Sequence, residues 1–115
     1  MSARPAPGPG AEPAPGSGPR TVTVPVEGEL DHESCEELVR AVTVRLAARP
    51  PVEVLRLDCA GMSLCDSMGL SALLQIRRDV DAAGGRLRLD RRPAHLDRLL
   101  RLTGTAGYLL ADRPD

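Results

Sequence analysis

The chain has 115 residues, a net charge of −1, 42% hydrophobic residues and a single aromatic, Tyr108. That is room for one domain, and the near-neutral balance argues against a dedicated nucleic-acid binder, which carries a basic face. Every basic residue is Arg, and the stacking platforms of single-stranded nucleic-acid readers are missing.

Residues 1–20 are Pro, Gly, Ala and Ser with almost nothing to bury, which predicts a disordered tail, partly polyproline II. No apolar core follows Arg4, so it reads as neither signal peptide nor anchor. No later apolar run is long enough to span a bilayer. The folded domain is expected over residues 21–112.

"TVTVPVEGEL" alternates Val22, Val24 and Val26 with polar partners, the period of a half-buried strand. Pro25 places that strand at a sheet edge or beside a bulge, and Gly28 is expected to turn the chain. Asp31 and Ser34 are both candidate N-caps, and Ser34 with Glu37 has capping-box spacing. Behind them Cys35, Leu38, Val39, Val42 and Leu46 form one helical stripe, ended by Pro50 and Pro51.

Val52 to Asp58 reads as a strand covered on both faces. A helix from about Met68 to Ala83 buries Leu70, Leu73, Leu74, Ile76, Val80 and Ala83, and Gly84-Gly85 ends it in the left-handed manner. Arg86 to Asp90 is a strand with Leu87 and Leu89 inward. Pro93 opens a short helix burying Leu96, Leu99 and Leu100, Gly104 stops it, and "YLL" reads as a last strand. This β-α-β-α-β-α-β order implies an α/β domain with a mainly parallel sheet.

Catalytic templates fail. Gly61 to Cys65 lacks the second glycine of a nucleophile elbow, and no phosphate-cradling glycine loop with Lys is present. Asp58 and Asp66 are a possible carboxylate pair, yet both read as ordinary turn positions. His32 and His95 read as solvated residues. Three cysteines, Cys35, Cys59 and Cys65, without a secretory signal imply reduced cytosolic thiols, and their spacing fits no metal site. Cofactors are not expected.

Ser67, in "SLCDSMGLSALL", has two readings. As an N-cap its hydroxyl would accept a bond from the first helical turn. As a modification site it would carry a phosphate held at a helix N-terminus, beside Asp66, with Gly69 leaving the approach uncrowded. A phosphate would turn an almost neutral loop strongly anionic.

Taken together, "GELD" after a strand, "VLRLDCAGMSLCDSMGLSALLQIRR", "AGGRLRL" and "PAHLDRLLRLTG" resemble a STAS domain, above all the bacterial anti-sigma factor antagonists. The resemblance covers residues 21–110. It implies a single domain with a mixed, mainly parallel sheet and interspersed helices, and a cytoplasmic regulator without catalysis of its own. By the same likeness the partner is an anti-sigma factor that is a serine kinase of the histidine-kinase-like ATPase fold, and Ser67 is the residue it phosphorylates. The unmodified antagonist binds that kinase and frees the sigma factor; the phosphorylated form lets go, and a serine phosphatase restores it. Asp31, Asp66, Ser67, Met68 and Gly69 are the expected partner-binding residues, with the Gly28–Asp31 turn on the same rim. Three features depart from the family pattern. Met68 replaces a common Ser, Thr or Ala, the Pro-rich tail stands where a first strand is usual, and the chain stops at Asp115 before the usual last helix. The alternatives are an unphosphorylated STAS scaffold within a larger signalling or transport assembly, and a small-ligand or nucleotide binder.

Overall fold

The computed structural model describes residues 20–111; residues 1–19 and 112–115, and with them most of the expected tail and Asp112 of the expected domain, lie outside that range. The elements run β1 (Thr21–Leu30), α1 (His32–Leu46), β2 (Val54–Cys65), α2 (Ser67–Ala82), β3 (Arg86–Asp90), α3 (Ala94–Thr103) and α4 (Ala106–Leu110). The strands form one sheet in the order β1-β2-β3, both pairings parallel. Two consecutive strand-helix-strand units make that sheet, so α1 and α2 are its crossovers.

Alternation decides which face is covered. Val24, Leu57 and Leu89 align across the three strands and are all buried. The next row, Pro25, Asp58 and Asp90, lies on the opposite face with Thr23, Arg56 and Arg88. Arg56 is exposed and bridges to Asp90 across the strands at 2.7 Å. The expectation that β2 is covered on both faces is therefore corrected. Leu55, Leu57 and Cys59 are fully buried while Arg56 between them is exposed, so this stretch of β2 has one covered face.

Other corrections concern boundaries. β2 continues through Asp58 to Cys65, held by β1 alone beyond the end of β3. Gly28 does not turn the chain: it takes φ 76°, a left-handed conformation suited to glycine, inside a strand that continues to Leu30. A register shift between Pro25 and Glu27 is the bulge that proline required, and β1 is an edge strand. Ala83 is exposed beyond the end of α2. Gly84 closes that helix at φ 85°, and the Gly85 N–H bonds the Val80 carbonyl at 3.0 Å.

The largest correction is at the end of the chain, where the expected last strand is the helix α4. Its Leu109 is fully buried, with Ala106 packed one turn before it. Arg77 explains the change. It is the one buried charged side chain among the described residues, at 5% exposure. Its guanidinium bonds the Asp81 carboxylate at 2.9 Å and 3.1 Å, donates to the Tyr108 and Ala111 carbonyls, and lies 4.8 Å from the Tyr108 ring centroid. A buried cation needs such saturation. Carbonyls at the end of a short helix supply it.

Candidate functional site

β1 and β2 end in register, Leu30 opposite Cys65. The next residue of each strand is an aspartate, so Asp31 and Asp66 emerge side by side at the carboxyl rim of the sheet. Each is the N-cap of the helix that follows. Asp66 Oδ1 accepts the N–H groups of Met68 at 3.0 Å and Gly69 at 3.3 Å. Asp31 Oδ1 accepts the Ser34 N–H at 2.9 Å, while the Ser34 hydroxyl accepts the Asp31 N–H and donates to the Glu29 carbonyl at 2.8 Å. Asp31 and Ser34 thus form the capping box, not Ser34 and Glu37. The Ser34 N–H and hydroxyl hold the Asp31 carboxyl below its ordinary pKa.

Ser67 is not the N-cap. Asp66 fills that role, and Ser67 is the first residue inside α2, exposed, with its hydroxyl outside the capping bonds. The cap explanation for this serine therefore falls away.

Gly69 has a different part from the one its sequence position suggested. It is buried, and a Cβ there would come within 2.7 Å of Cys65 Sγ and 3.0 Å of Leu30 Cβ. The missing side chain lets the start of α2 lie on the ends of β1 and β2. It does not open the approach to Ser67, and it gives the surface no side chain. Met68, by contrast, is 45% exposed, and Leu64 before the cap is 48% exposed. Leu64 was not singled out from sequence, because the length of β2 was not legible there.

Cys35 lies on the α1 side of this rim, its thiol directed at the Met68 carbonyl at 3.7 Å. Burial raises its pKa first, and the charges of Asp66 and Asp31 raise it further. Both carboxylates therefore act on one point between the two helix starts. Burial likewise pushes Cys59 and Cys65 up to about 11, so these thiols are core residues rather than nucleophiles. Among the described residues no group of three His, Cys, Asp or Glu is placed to hold a metal.

The remaining candidates separate. Asp58 does not pair with Asp66; it sits mid-strand, bound by Arg91 Nε at 3.0 Å and Nη2 at 2.5 Å. His32 is exposed and 3.4 Å from Glu36, and His95 Nε2 is 3.3 Å from the Met62 carbonyl. Near Ser67 the acids that the caps place are Asp66, which precedes it, and Asp31, at the matching position of the neighbouring strand end; Glu27, Glu29, Glu33, Glu36 and Glu37 make the β1–α1 junction acidic in sequence, with His32 among them.

The family model described as "Mlab, STAS domain" matches residues 14–111, and the chain belongs to the STAS-domain family. Among solved structures it is similar to SpoIIAA, a Bacillus cell fate determinant, in its phosphorylated form: 22% identity, TM-score 0.62, over 86% of this chain and 87% of that one. SpoIIAA as the unphosphorylated anti-sigma factor antagonist matches at 22% identity and TM-score 0.60, over 74% of this chain and 76% of that one. The STAS domain of a SulP transporter from Vibrio cholerae matches at 14% identity and TM-score 0.65, over 78% and 68%. At these identities the likeness establishes the α/β fold. No curated protein matches the sequence. Among the described residues no helix is long and apolar enough to cross a membrane.

Proposed function

We propose that this protein is an anti-sigma factor antagonist, a cytoplasmic regulator of transcription in a stress response that binds and does not catalyse. Its partner is an anti-sigma factor that is also a serine kinase of the histidine-kinase-like ATPase fold. Binding frees the sigma factor, phosphorylation of Ser67 ends the binding, and a serine phosphatase resets the switch. One observation carries the reading: an exposed hydroxyl at the first position of α2, free of capping duty, on a rim with Asp31, Asp66 and Met68.

The switch follows from charge. Asp66 already accepts the N–H groups that would cradle a phosphate, so phosphoserine 67 would add about −1.5 to −2 charges beside an existing carboxylate. A kinase acting at Ser67 must also bring nucleotide phosphates to the same place, and after transfer these face the new phosphate. Taking a complex from almost all bound to almost all free needs about 5.5 kcal/mol. Like charges supply that only where water is excluded, so Ser67 belongs inside the interface.

The test is co-elution of the full chain with the anti-sigma kinase encoded nearest to it, before and after ATP. Complex formation without ATP and release with it are expected. Constitutive binding is expected for Ser67→Ala and weakened binding for Ser67→Asp. Binding unaffected by ATP would refute the switch. The likeness to a transporter's STAS domain favours a second reading, an unphosphorylated scaffold within a larger assembly. That reading expects a large particle and no phosphate.

A further inference from the structure

Beside the Ser67 rim, α1 and α2 leave an open groove of about 540 Å³. Its floor is apolar: Cys35 and Val39 are one turn apart on α1, and Met68 and Ala72 one turn apart on α2. Both helices follow parallel strands and run in the same direction, so the two ridges bound a single furrow. Two (i, i+4) ridges with a furrow between them are the complement of a third helix presenting an (i, i+4) ridge of its own. Met68 is an adaptable side chain for such a contact.

The rim charges are ordered. At the end nearest Ser67 the groove is lined by His32 and Glu36, 3.4 Å apart, with the cap carboxylates of Asp31 and Asp66 just beyond it, while Arg40 marks the far end. We propose that this groove seats an amphipathic helix of the partner protein, apolar face down, with basic residues toward Ser67 and an acid toward Arg40. The proposal rests on reading the Ser67 rim as a partner surface, and it adds where and by what chemistry the partner is anchored. It also divides the labour: the groove supplies adhesion, whereas Ser67 only decides whether nucleotide phosphates are tolerated alongside.

The probe is a designed 16-residue helical peptide with Leu at positions i, i+4 and i+7, Arg flanking one half and Glu the other. Saturable shifts of the Val39, Met68 and Ala72 methyl signals are expected when it is titrated into the full chain. Glu in place of its Arg residues should weaken binding by at least about tenfold, since like charges then meet. Ser in place of its Leu residues should abolish it. Ser71→Trp, at an exposed position lining the groove, should block the peptide while the melting temperature is retained. Ser67→Asp should not weaken the peptide and should tighten it if anything, because the floor is untouched and the added carboxylate faces the peptide's Arg residues.

No saturable binding, shifts mapping elsewhere, or equal binding of the acidic peptide would overturn the proposal. Concentration-dependent shifts of the same methyls without peptide would overturn it too, by assigning the groove to a second copy of the chain. The two readings fail separately. If Ser67 takes phosphate from a kinase while the peptide leaves the groove unmoved, the groove falls and the switch stands; if the peptide seats there and no kinase modifies Ser67, the reverse holds.

Discussion

The junctions β1–α1 and β2–α2 are built alike and differ in one respect that matters. Each ends a parallel strand, places an aspartate at the cap and starts a helix packed on the same face of the sheet. In α1 the third helical residue is Ser34, whose hydroxyl is consumed by the capping box and the Glu29 carbonyl. In α2 the third residue is Gly69, pressed against Cys65 and Leu30, and the hydroxyl has moved to the first position, where nothing in the cap needs it. One serine builds the fold and the other is left to chemistry. A serine near a helix start is therefore judged by what the cap already holds.

Exchanging the third residues should show the difference most strongly. Gly69→Ser forces a Cβ into the Cys65 and Leu30 side chains, and overpacking of this kind costs about 1–3 kcal/mol. In a domain of this size each kcal/mol lowers the melting temperature by about 4–8 °C. A Gly69→Ser chain that melts like the wild type would refute the close packing of α2.

Cap removal comes next. Asp66→Ala should cost about 1 kcal/mol through the Met68 and Gly69 N–H groups, and Ser34→Ala about as much by breaking the box at α1. Denaturant midpoints check both. If Asp66→Ala were silent while Ser34→Ala was not, Ser67 would have to be replacing the lost cap.

Smaller changes are expected with pH. Asp31 is held below its ordinary pKa by Ser34, and Asp58 by the Arg91 guanidinium, so the unfolded chain takes up protons first. Their stabilising share is present above the ordinary carboxyl value of 3.8 and is lost as the pH falls through the depressed values. At the alkaline end Cys59 and Cys65 work in the opposite sense. Stability is full below the ordinary thiol value of 9.0 and declines as the pH rises through about 11. Melting curves across pH test both limbs, and at neutral pH these thiols should resist alkylation until the chain unfolds.

Smallest of all is Ser67→Ala, which removes an exposed hydroxyl outside the cap and should change stability by less than about 0.5 kcal/mol. A larger loss would return Ser67 to a structural part.

Much of this was legible where periodicity is strong. The stripe Cys35, Leu38 and Val42, the Leu87–Leu89 alternation, Gly84, and Gly104 at φ 75° are local signals, and the structure keeps each. What escaped depends on distant partners. The length of β2 is set by pairing with β1 through two register shifts, and Gly61-Met62-Ser63 has no alternation that announces a strand. The cap at Asp66 depends on where that strand ends. The helix α4 depends on Arg77, which stands in the buried line of Leu73, Ile76 and Val80; an arginine in such a stripe is itself a signal of a buried acceptor nearby. The side-by-side placement of Asp31 and Asp66 needed the sheet register, although "GELD" and "LCDS" each mark a strand end.

The most direct test of the Ser67 assignment is the mass and phosphopeptide map of the full chain and of Ser67→Ala after incubation with a cognate anti-sigma kinase and ATP. A single phosphate on Ser67, absent from the Ser67→Ala chain, is the expected result. A phosphate that persists in Ser67→Ala and maps to Ser63 or Ser71 would contradict it.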